Sequence, residues 1–313
     1  MLEMEENQLI THKVSPEEFS VIFEETVDRI QRAGDKPYVT VKMQLGLLEQ
    51  LSQFDFGKFL LTHQGFNGYW TNYMLTHPWN GRKTGKNNQG KIFNELEDFI
   101  LNNAPGVLAT QQRFEIFLKE NQKAVHNGVK LACIPSGMMG ELLYLDFQNI
   151  KDIKLVGIDY DRQALQDAEH LATEKGLLSF LELIQRDAWA LNIENEFDLI
   201  SSNGLNIYEK DDDKVTDLYQ QFYKALEPGG KLVTSFLTYP PGFEEACEWD
   251  MKVVDENDLM LQRIILVDII NAKFNTYRST DQTREQLKAA GFEEIDFIYD
   301  KARIFPTVVA KKA

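Results

Sequence analysis

The stretch VKLACIPSGMMGELLYLDFQNIKDIKLVGIDYD, at residues 129–161, decides the fold of this chain. Two short apolar runs in it, 129–134 and 153–158, predict buried strands. The residues between them have apolar positions at helical spacing, and 161–176 predicts an amphipathic helix that ends on glycine. Apolar strands that alternate with helices are typical of a parallel sheet covered on both faces.

The same alternation continues toward the C-terminus. Further strands are predicted at 180–185, 197–202 and 231–237, and helices at 211–226 and 283–290. The residues LEPGG at 226–230 predict a type II turn before the fifth strand. Two last strands, 293–299 and 303–310, are separated by a short link that permits only antiparallel pairing. The fold class expected is therefore α/β.

The N-terminal part has a different pattern of apolar residues, because residues 1–127 lack the period-2 alternation of strands. Its apolar residues recur three and four positions apart. Helices are predicted from Ser15-Pro16 to about residue 30 and at 40–62, 91–102 and 110–126. We predict two domains, a helical cap or substrate region at 1–127 and an α/β domain at 128–313.

Composition excludes several protein classes. The chain has 313 residues, 43% of them hydrophobic, and a formal net charge of −16 from 33 basic and 49 acidic side chains. Such an acidic chain repels phosphate backbones, which disfavours a nucleic-acid partner. No run approaches the ~20 apolar residues of a membrane helix, the N-terminus has no signal-peptide layout, and two cysteines imply no disulfide framework. A cytoplasmic location with no membrane partner is expected.

Residues at the carboxyl ends of the strands carry the predicted site, because ligands of open parallel sheets bind at that edge. Pro135, Ser136 and Gly137 form a tight turn after the first strand. Asp159 follows the second strand, 22 positions beyond Gly137. Such an acid can accept two hydrogen bonds from the vicinal hydroxyls of a ribose. The alternative role, a helix N-cap, suits Asp161 better.

The next two strand ends add polar groups to the same edge. Asp187 and Ala188 follow the third strand, where a carboxylate can accept from an exocyclic amine and the next N–H can donate to a ring nitrogen. Small and amide residues follow the fourth strand at 201–206 and would line the centre of the cleft.

The series GIDYD, RDAW, FDLISSNG and ALEPGGKLV, closed by an antiparallel strand pair, resembles the class I S-adenosylmethionine-dependent methyltransferases over about 129–311. The resemblance implies a seven-stranded Rossmann-like sheet ordered 3-2-1-4-5-7-6, with the seventh strand antiparallel. It implies S-adenosylmethionine as cofactor, S-adenosylhomocysteine as product and no metal. The implied cofactor-binding residues are Pro135, Ser136 and Gly137 beside the methionine part, Asp159 on the ribose with Tyr160 next to it, Asp187 and Ala188 on the adenine, and Ser202, Asn203 and Gly204 facing the methyl sulfonium.

Three positions depart from that family, and two of them, Pro135 and Met139, align with the first and third glycines of its first motif. The family's first motif usually has an acid two residues before its first glycine, and here Cys133 stands in that place. The end of the first strand therefore lacks the carboxylate that this family usually has there.

Acceptor-site candidates come from two segments. They are His77 and Tyr208 as weak catalytic candidates, and Tyr69, Trp70, Asn206 and Glu209 as substrate contacts. His77 could be a general base, but a hydrogen-bonded surface histidine beside packed aromatics is the favoured interpretation. The basic loop 81–91 is either a lid that attracts an anionic substrate or, more commonly, a solvated loop.

Three functions stay open from the sequence. The first is methyl transfer to a small molecule, with a protein side chain as the second choice of acceptor. The second is a non-catalytic cofactor-binding module of the same fold, and the third is an NAD(P)-dependent oxidoreductase. The histidines lack metal-ligand spacing, which disfavours a metal site. The oligomeric state is left open.

Overall fold

A computed structural model describes residues 14–244 and 246–313. The α-helices of these ranges are α1 (Pro16–Ala33), α2 (Val41–Leu51), α3 (Asp55–His63), α4 (Gly68–Thr76), α5 (Gly81–Thr84), α6 (Glu95–Asn102), α7 (Pro105–Gln122), α8 (Gly140–Leu143), α9 (Arg162–Glu174), α10 (Asp212–Ala225), α11 (Glu256–Arg263) and α12 (Thr280–Ala289). The strands are β1 (Val129–Cys133), β2 (Ile153–Asp159), β3 (Leu181–Gln185), β4 (Phe197–Ser201), β5 (Leu226–Ser235), β6 (Glu293–Ile298) and β7 (Thr307–Lys311).

The strands form one seven-stranded sheet in the order β3-β2-β1-β4-β5-β7-β6. The pairs from β3 to β5 are parallel, and β7 pairs antiparallel with both β5 and β6. This order confirms the predicted α/β sheet. The order reverses direction between β1 and β4, so the switch point of the sheet lies at the carboxyl ends of these two strands.

Side-chain alternation along the central strands builds one core on each face of the sheet. Ala132, Val156 and Ile200 pack on one face with α10 and α12. Their neighbours Leu131, Leu155 and Leu199 pack on the other face with α9 and the second half of α7. Because both faces are covered, these strands are apolar at nearly every position, which is what their sequence predicted.

The outermost strand β6 is more polar, with Glu293, Glu294 and Asp296 among its six residues. Charged side chains at a sheet edge discourage pairing with another chain. The link from β6 to β7 is longer than predicted, because pairing of the last strand starts only at Thr307. The residues between them turn at Arg303, whose φ is 56°.

The turn predicted at 226–230 lies within the irregular start of β5. Gly229 has a φ of 80°, and the register against β4 shifts between Phe197 and Leu199. A Cβ at Gly230 would lie 2.7 Å from the carbonyl oxygen of Glu227. Glycine at both positions is therefore required by the backbone here.

The chain divides into two compact units. Among the described residues, one comprises those up to Leu108 together with Val254–Lys273, and the other comprises those of Ala109–Val253 and Phe274–Ala313. This division differs from the predicted 1–127 and 128–313. The second half of α7 belongs with the sheet, and residues 254–273 return to the helical unit.

Packing explains the return of 254–273. Ile264, Ile265 and Ile269 join the core of the helical unit around Leu48 and Phe56. The Arg29 guanidinium also donates to the carbonyl oxygen of Asp268 at 2.6 Å. Such contacts join residues more than 200 positions apart, so local periodicity did not predict them.

The helices of the first unit follow the predicted periodicity with two changes. Ser15 caps α1 by accepting from the Glu18 N–H, as expected for its position before Pro16. The predicted helix 40–62 is two helices, α2 and α3. In the other unit, α8 is only four residues long, shorter than its apolar spacing suggested.

Candidate functional site

Asp159 connects the ends of the first two strands. Its Oδ2 accepts from the Gly137 N–H at 3.0 Å and from the Ser136 hydroxyl at 3.4 Å, and its Oδ1 accepts from the Asp161 N–H at 2.9 Å. Burial raises the pKa of the Asp159 carboxyl, although the backbone donors of Asp161 and Gly137 oppose the shift. The predicted acid and the predicted turn are therefore in direct contact.

The Asp159 carboxylate has room for further donors. A carboxylate offers about four lone-pair positions, and three donors occupy them here. The Ser136 bond is long, so a stronger donor can replace it. A ligand diol can therefore bond to Asp159 without breaking its backbone hydrogen bonds.

The loop after β1 is shaped by residues in unusual backbone conformations. Gly137 and Met139 have φ values of 45° and 55°, and the Ile134–Pro135 peptide is cis. Ser136 is buried, and its N–H donates to the Ile158 carbonyl at 2.8 Å. The backbone of this loop therefore runs along the end of β2, beside Asp159.

Gly157 in β2 leaves room for the loop that follows β1. A Cβ at this position would lie 2.6 Å from Met139 Sδ, 2.7 Å from Leu183 Cδ2 and 3.2 Å from Ser136 Cβ. Met139 and Leu183 present the ends of flexible side chains, so they can partly adjust. The Ser136 backbone is tied to its neighbours and has less freedom.

We therefore expect Gly157→Ala to destabilise the fold by about 1 kcal/mol, the low end of overpacking costs. The displaced Ser136 should also weaken ligand binding beside Asp159. Urea unfolding measures the first effect and calorimetric titration with S-adenosylhomocysteine the second. Gly46→Ala is the matched control, since no atom lies within 4 Å of a Cβ built there. Equal behaviour of the two variants would contradict the proposed close packing.

The ends of β2 and β3 place the other predicted cofactor residues. Tyr160 is 76% exposed. Asp187 caps a short 3-10 turn by accepting from the Trp189 N–H at 2.9 Å, and Ala188 behind it is buried. Asp187 itself is exposed, so its second carboxylate oxygen faces solvent.

A buried polar network lies at the switch point. Glu141 of α8 is only 8% exposed, and its Oε1 accepts from Asn203 Nδ2 at 3.0 Å. The Ser235 hydroxyl donates to Asn203 Oδ1 at 3.2 Å. Both ends of the Asn203 amide are thus held, which fixes the backbone after β4 at Ser202 and Gly204.

Glu141 also reaches the position where the resemblance leads one to expect an acid. Cys133 Sγ lies 3.8 Å from Glu141 Oε2. Burial, and next the negative charge of Glu141, raise the pKa of the Cys133 thiol. A carboxylate is therefore present at the end of β1, but it comes from α8. The sequence signal for this carboxylate is an acid four residues after Gly137.

Arg113 is a second residue that the sequence analysis missed. This buried side chain lies over the Phe305 ring at 3.7 Å, and its Nη1 donates weakly to Ser235 Oγ at 3.5 Å. Burial lowers its pKa to about 9, while the charges of Glu141 and Asp300 oppose the shift. A helix residue 90 positions before Asn203 gave no local motif to find.

The substrate candidates after β4 divide into buried and exposed residues. Asn206 is buried, and its Nδ2 donates to the Tyr219 hydroxyl and the Ser235 carbonyl. Glu209 accepts from the Asp211 N–H at 2.9 Å, next to the start of α10. Tyr208 is about half exposed. Asn206 and Glu209 thus hold the loop together, and Tyr208 is the candidate that faces solvent.

The acceptor-site candidates of the helical unit also differ in their surroundings. Trp70 is buried in the core, stacked on Phe56 at 5.3 Å, so it is not a pocket wall. Tyr69 lines a cavity of about 310 Å³. His77 lines the same cavity and is only 1% exposed, which corrects the expectation of a surface histidine. The predicted segment 68–76 is the helix α4.

The basic loop 81–91 is held at several points. Its first residues form α5, and Asn87 donates to Glu97 Oε2 at 3.2 Å. Asn88 and Gln89 both donate to Asp55 Oδ2, at 3.1 and 2.7 Å. The loop is therefore packed on its own unit through defined bonds.

Residues 14–244 and 246–313 contain neither a metal-ligand cluster nor a membrane-spanning helix. No three His, Cys, Asp or Glu side chains in these ranges form a group that could hold a metal ion. None of the helices there has the length and apolar character needed to cross a membrane.

Comparisons with known proteins add family evidence. A family model described as "Methyltransferase domain" matches residues 136–230. A protein of Bordetella parapertussis, described as a possible exported protein, is 39% identical to this chain. The match covers 96% of this chain and 98% of that one, with a TM-score of 0.89. No curated protein matches.

A more distant structure shares the fold. The S-adenosylmethionine-dependent methyltransferase SibL in its apo form is 13% identical and has a TM-score of 0.51, with 86% of this chain and 77% of that chain covered. The domain match begins in the loop after β1 and ends in β5, the part of the sheet that carries Asp159 and Asp187. With its sheet order and antiparallel β7, the chain has the fold of the class I S-adenosylmethionine-dependent methyltransferases, and residues 136–230 within it match a methyltransferase domain.

Proposed function

We propose that the protein binds S-adenosylmethionine and transfers its methyl group to a small-molecule acceptor, releasing S-adenosylhomocysteine. The observation that carries the proposal is the contact between Asp159 and the Gly137 N–H at the ligand-binding edge of a methyltransferase domain. This contact supports the proposal because the acid assigned to the ribose lies beside the loop assigned to the methionine part.

Each cofactor contact is assigned by its position on this edge. Asp159 would accept from the ribose hydroxyls, and Asp187 with the Ala188 N–H would bind the adenine. Ser202 and Gly204, fixed through Asn203, would lie beside the methyl donor. Glu141 would offer the carboxylate that complements the cationic methionine ammonium, in the place where Cys133 stands in this chain.

Methyl transfer from a sulfonium depends more on positioning of the acceptor than on a reactive side chain. The cofactor supplies an activated methyl group on a sulfonium. The protein must hold an acceptor in line and provide for its proton where it has one. The fixed Asn203 amide serves this purpose because a locked backbone defines the approach to the methyl group.

The net charge of −16 favours a small molecule over a nucleic acid as acceptor. An exposed protein side chain is the second choice. A cytoplasmic location remains a prediction from the sequence. A non-catalytic module is the alternative to an enzyme, and turnover separates the two.

The test of activity is a turnover assay. The purified chain is incubated with S-adenosylmethionine and pools of small molecules that carry hydroxyl, amine or thiol groups, and S-adenosylhomocysteine is quantified by mass spectrometry. We expect acceptor-dependent release that Asp159→Ala reduces. Tight cofactor binding without turnover on any pool, including peptides, would favour the non-catalytic alternative.

Cofactor binding should depend on pH through Asp159. The ionised carboxylate accepts ribose hydroxyls, whereas the protonated acid loses acceptor positions. Burial raises the pKa of this group, so affinity should fall as pH drops through that raised value. Titrations with S-adenosylhomocysteine between pH 8 and 4.5 should show the loss in the wild type and not in Asp159→Asn. Parallel profiles for both would assign the effect to another group.

A further inference from the structure

The strand β3 forms one outer edge of the sheet, and this edge has no role in the proposed methyl transfer. β3 pairs with β2 on its inner side, and no other strand of residues 14–244 and 246–313 pairs with its outer side. The opposite edge strand, β6, carries three acidic residues in six positions, which discourage pairing with another chain. The sequence of β3 is LELIQ, with a single acid, so β3 is the less protected edge.

The direction of the backbone groups of β3 follows from its pairing with β2. The Arg186 N–H donates to the Asp159 carbonyl at 2.9 Å, so the backbone of residue 186 faces β2. Because this direction alternates along a strand, the other even-numbered residues of β3 face β2 as well. The odd-numbered residues present their N–H and C=O groups outward, as an open row of donors and acceptors to which a strand can add.

The side chains of the even-numbered residues lie on a face of the sheet that is open near this edge. Within residues 186–196, the crossover from β3 to β4 has one regular element, the three-residue 3-10 turn Ala188–Ala190, in place of the helix that usually joins parallel strands. A groove of about 310 Å³ lies there, and Glu182, Ile184 and Arg186 are among the residues that line it. These three side chains are therefore within reach of a strand added to β3.

The charges on this face are complementary to their own reverse order. Glu182 and Arg186 stand two positions before and two positions after Ile184. The Glu182 side chain pairs with Lys154 but is 41% exposed. Arg186 uses Nη1 to donate to the Leu191 carbonyl at 2.5 Å, and its other guanidinium nitrogens have no partner among residues 14–244 and 246–313. Both charges can therefore meet an opposite charge on an added strand.

We propose that two copies of this chain pair through β3 in antiparallel orientation, about a two-fold axis at Ile184. Glu182 then lies opposite Arg186 of the partner subunit, and the same contact forms a second time by symmetry. These are non-hydrogen-bonded pairs, in which opposite side chains lie closest, and the odd-numbered residues supply the hydrogen-bonded pairs. The proposal is independent of methyl transfer, because it concerns association through this edge alone.

Charge distinguishes this register from its neighbours. Centring the pair on Leu183 places the Glu182 carboxylate opposite an isoleucine. Centring it on Glu182 places two carboxylates opposite each other, which is destabilising. The centre at Ile184 is the one that pairs both charges, and it does so twice. A two-fold dimer needs such a self-complementary surface, so a second copy is the partner that this strand fits.

The test is sedimentation velocity of the full chain at concentrations up to about 100 μM, where we expect a monomer–dimer equilibrium. Glu182→Arg and Arg186→Glu should each raise the dimer dissociation constant at least about tenfold, because each places like charges opposite one another. The double variant restores opposite charges and should return to within about threefold of the wild type. Glu293→Arg, on the opposite edge strand β6, is the matched control and should leave the constant unchanged.

A second variant keeps the proposal testable if Arg186→Glu does not fold. Gln185→Pro removes an N–H that faces outward and takes no part in pairing with β2, and proline is tolerated at such an edge position. This variant should be monomeric, with the circular dichroism spectrum of the wild type.

A disulfide tests the register. In a Cys247→Ser background, which removes the exposed native thiol, Ile184→Cys should form an interchain disulfide on mild oxidation, because the two Cβ atoms oppose each other across the axis. Glu182→Cys in the same background should not, since its two copies lie on opposite sides of the axis.

Three results would overturn the proposal. The first is a wild type that stays monomeric up to about 100 μM, which would leave the edge to a different partner. The second is a dimer that neither the charge variants nor Gln185→Pro weaken, which would place the interface on another surface. The third is a double variant that associates no better than the single ones, which would exclude the register centred on Ile184.

Discussion

Asp159→Ala is expected to weaken S-adenosylhomocysteine binding by about 1–3 kcal/mol, a loss of about 5- to 150-fold in affinity. The carboxylate would make charge-assisted hydrogen bonds to the ribose, which are stronger than neutral ones. The variant also removes the acceptor for the Gly137 N–H and so loosens the loop beside the methionine part. Both effects act in the same direction. Isothermal titration calorimetry measures the change.

The matched control is Asp161→Ala, two residues further on. Asp161 caps α9 by accepting from the Gln163 N–H at 2.9 Å, and its backbone N–H, which the substitution keeps, donates to Asp159. Loss of the cap should cost about 1 kcal/mol of stability and leave affinity within about twofold. If the two variants lose affinity equally, Asp159 has no specific role in the ribose site.

Arg278→Met should be the most destabilising of the substitutions considered, by about 2–6 kcal/mol, because two buried carbonyl groups would lose their donor at about 1–3 kcal/mol each. Arg278 is 2% exposed and donates to the carbonyls of Asn206 and Glu209 at 2.8 and 2.7 Å. It also pairs with Asp212 at 2.8 Å, but the Asp212 side chain is 58% exposed, so solvent screens that pair. The main loss comes from two carbonyl groups whose buried donor disappears.

Urea unfolding measures the Arg278 effect, with Arg162→Met as the control. Arg162 is an exposed residue at the start of α9, and its substitution should change stability by less than about 0.5 kcal/mol. Because Arg278 holds the loop that carries Tyr208, acceptor kinetics should also suffer before the whole unit unfolds. A variant as stable as the Arg162 control would show that the loop does not depend on this guanidinium.

Strand positions could be predicted because each central strand is buried on both faces. Its sequence is then a short apolar run, as in Leu131 and Leu155, and the signal is local. Asp159 could be predicted for a related reason, since a strand end positions its next residue by geometry. The positions of the residues at this edge of the sheet therefore follow largely from the sequence, and their binding of a cofactor stays a prediction.

Contacts between distant segments could not be predicted in this way. Trp70 is a core residue because α3 supplies Phe56 as a stacking partner, which no spacing around position 70 indicates. Glu141 reaches Cys133 from α8, a separate element eight residues further along the chain. His77 is buried through Asn102, 25 positions away. Each of these three contacts depends on how separate helices and strands pack together, and local sequence does not indicate that packing.

The measurement that tests the central claim most directly is a calorimetric titration of the full chain with S-adenosylmethionine and S-adenosylhomocysteine, with NAD and NADP as controls. The account predicts micromolar binding of both sulfur ligands, weakened in Asp159→Ala, and no binding of the nicotinamides. Folded wild-type protein that binds neither sulfur ligand, or that binds a nicotinamide instead, would contradict it.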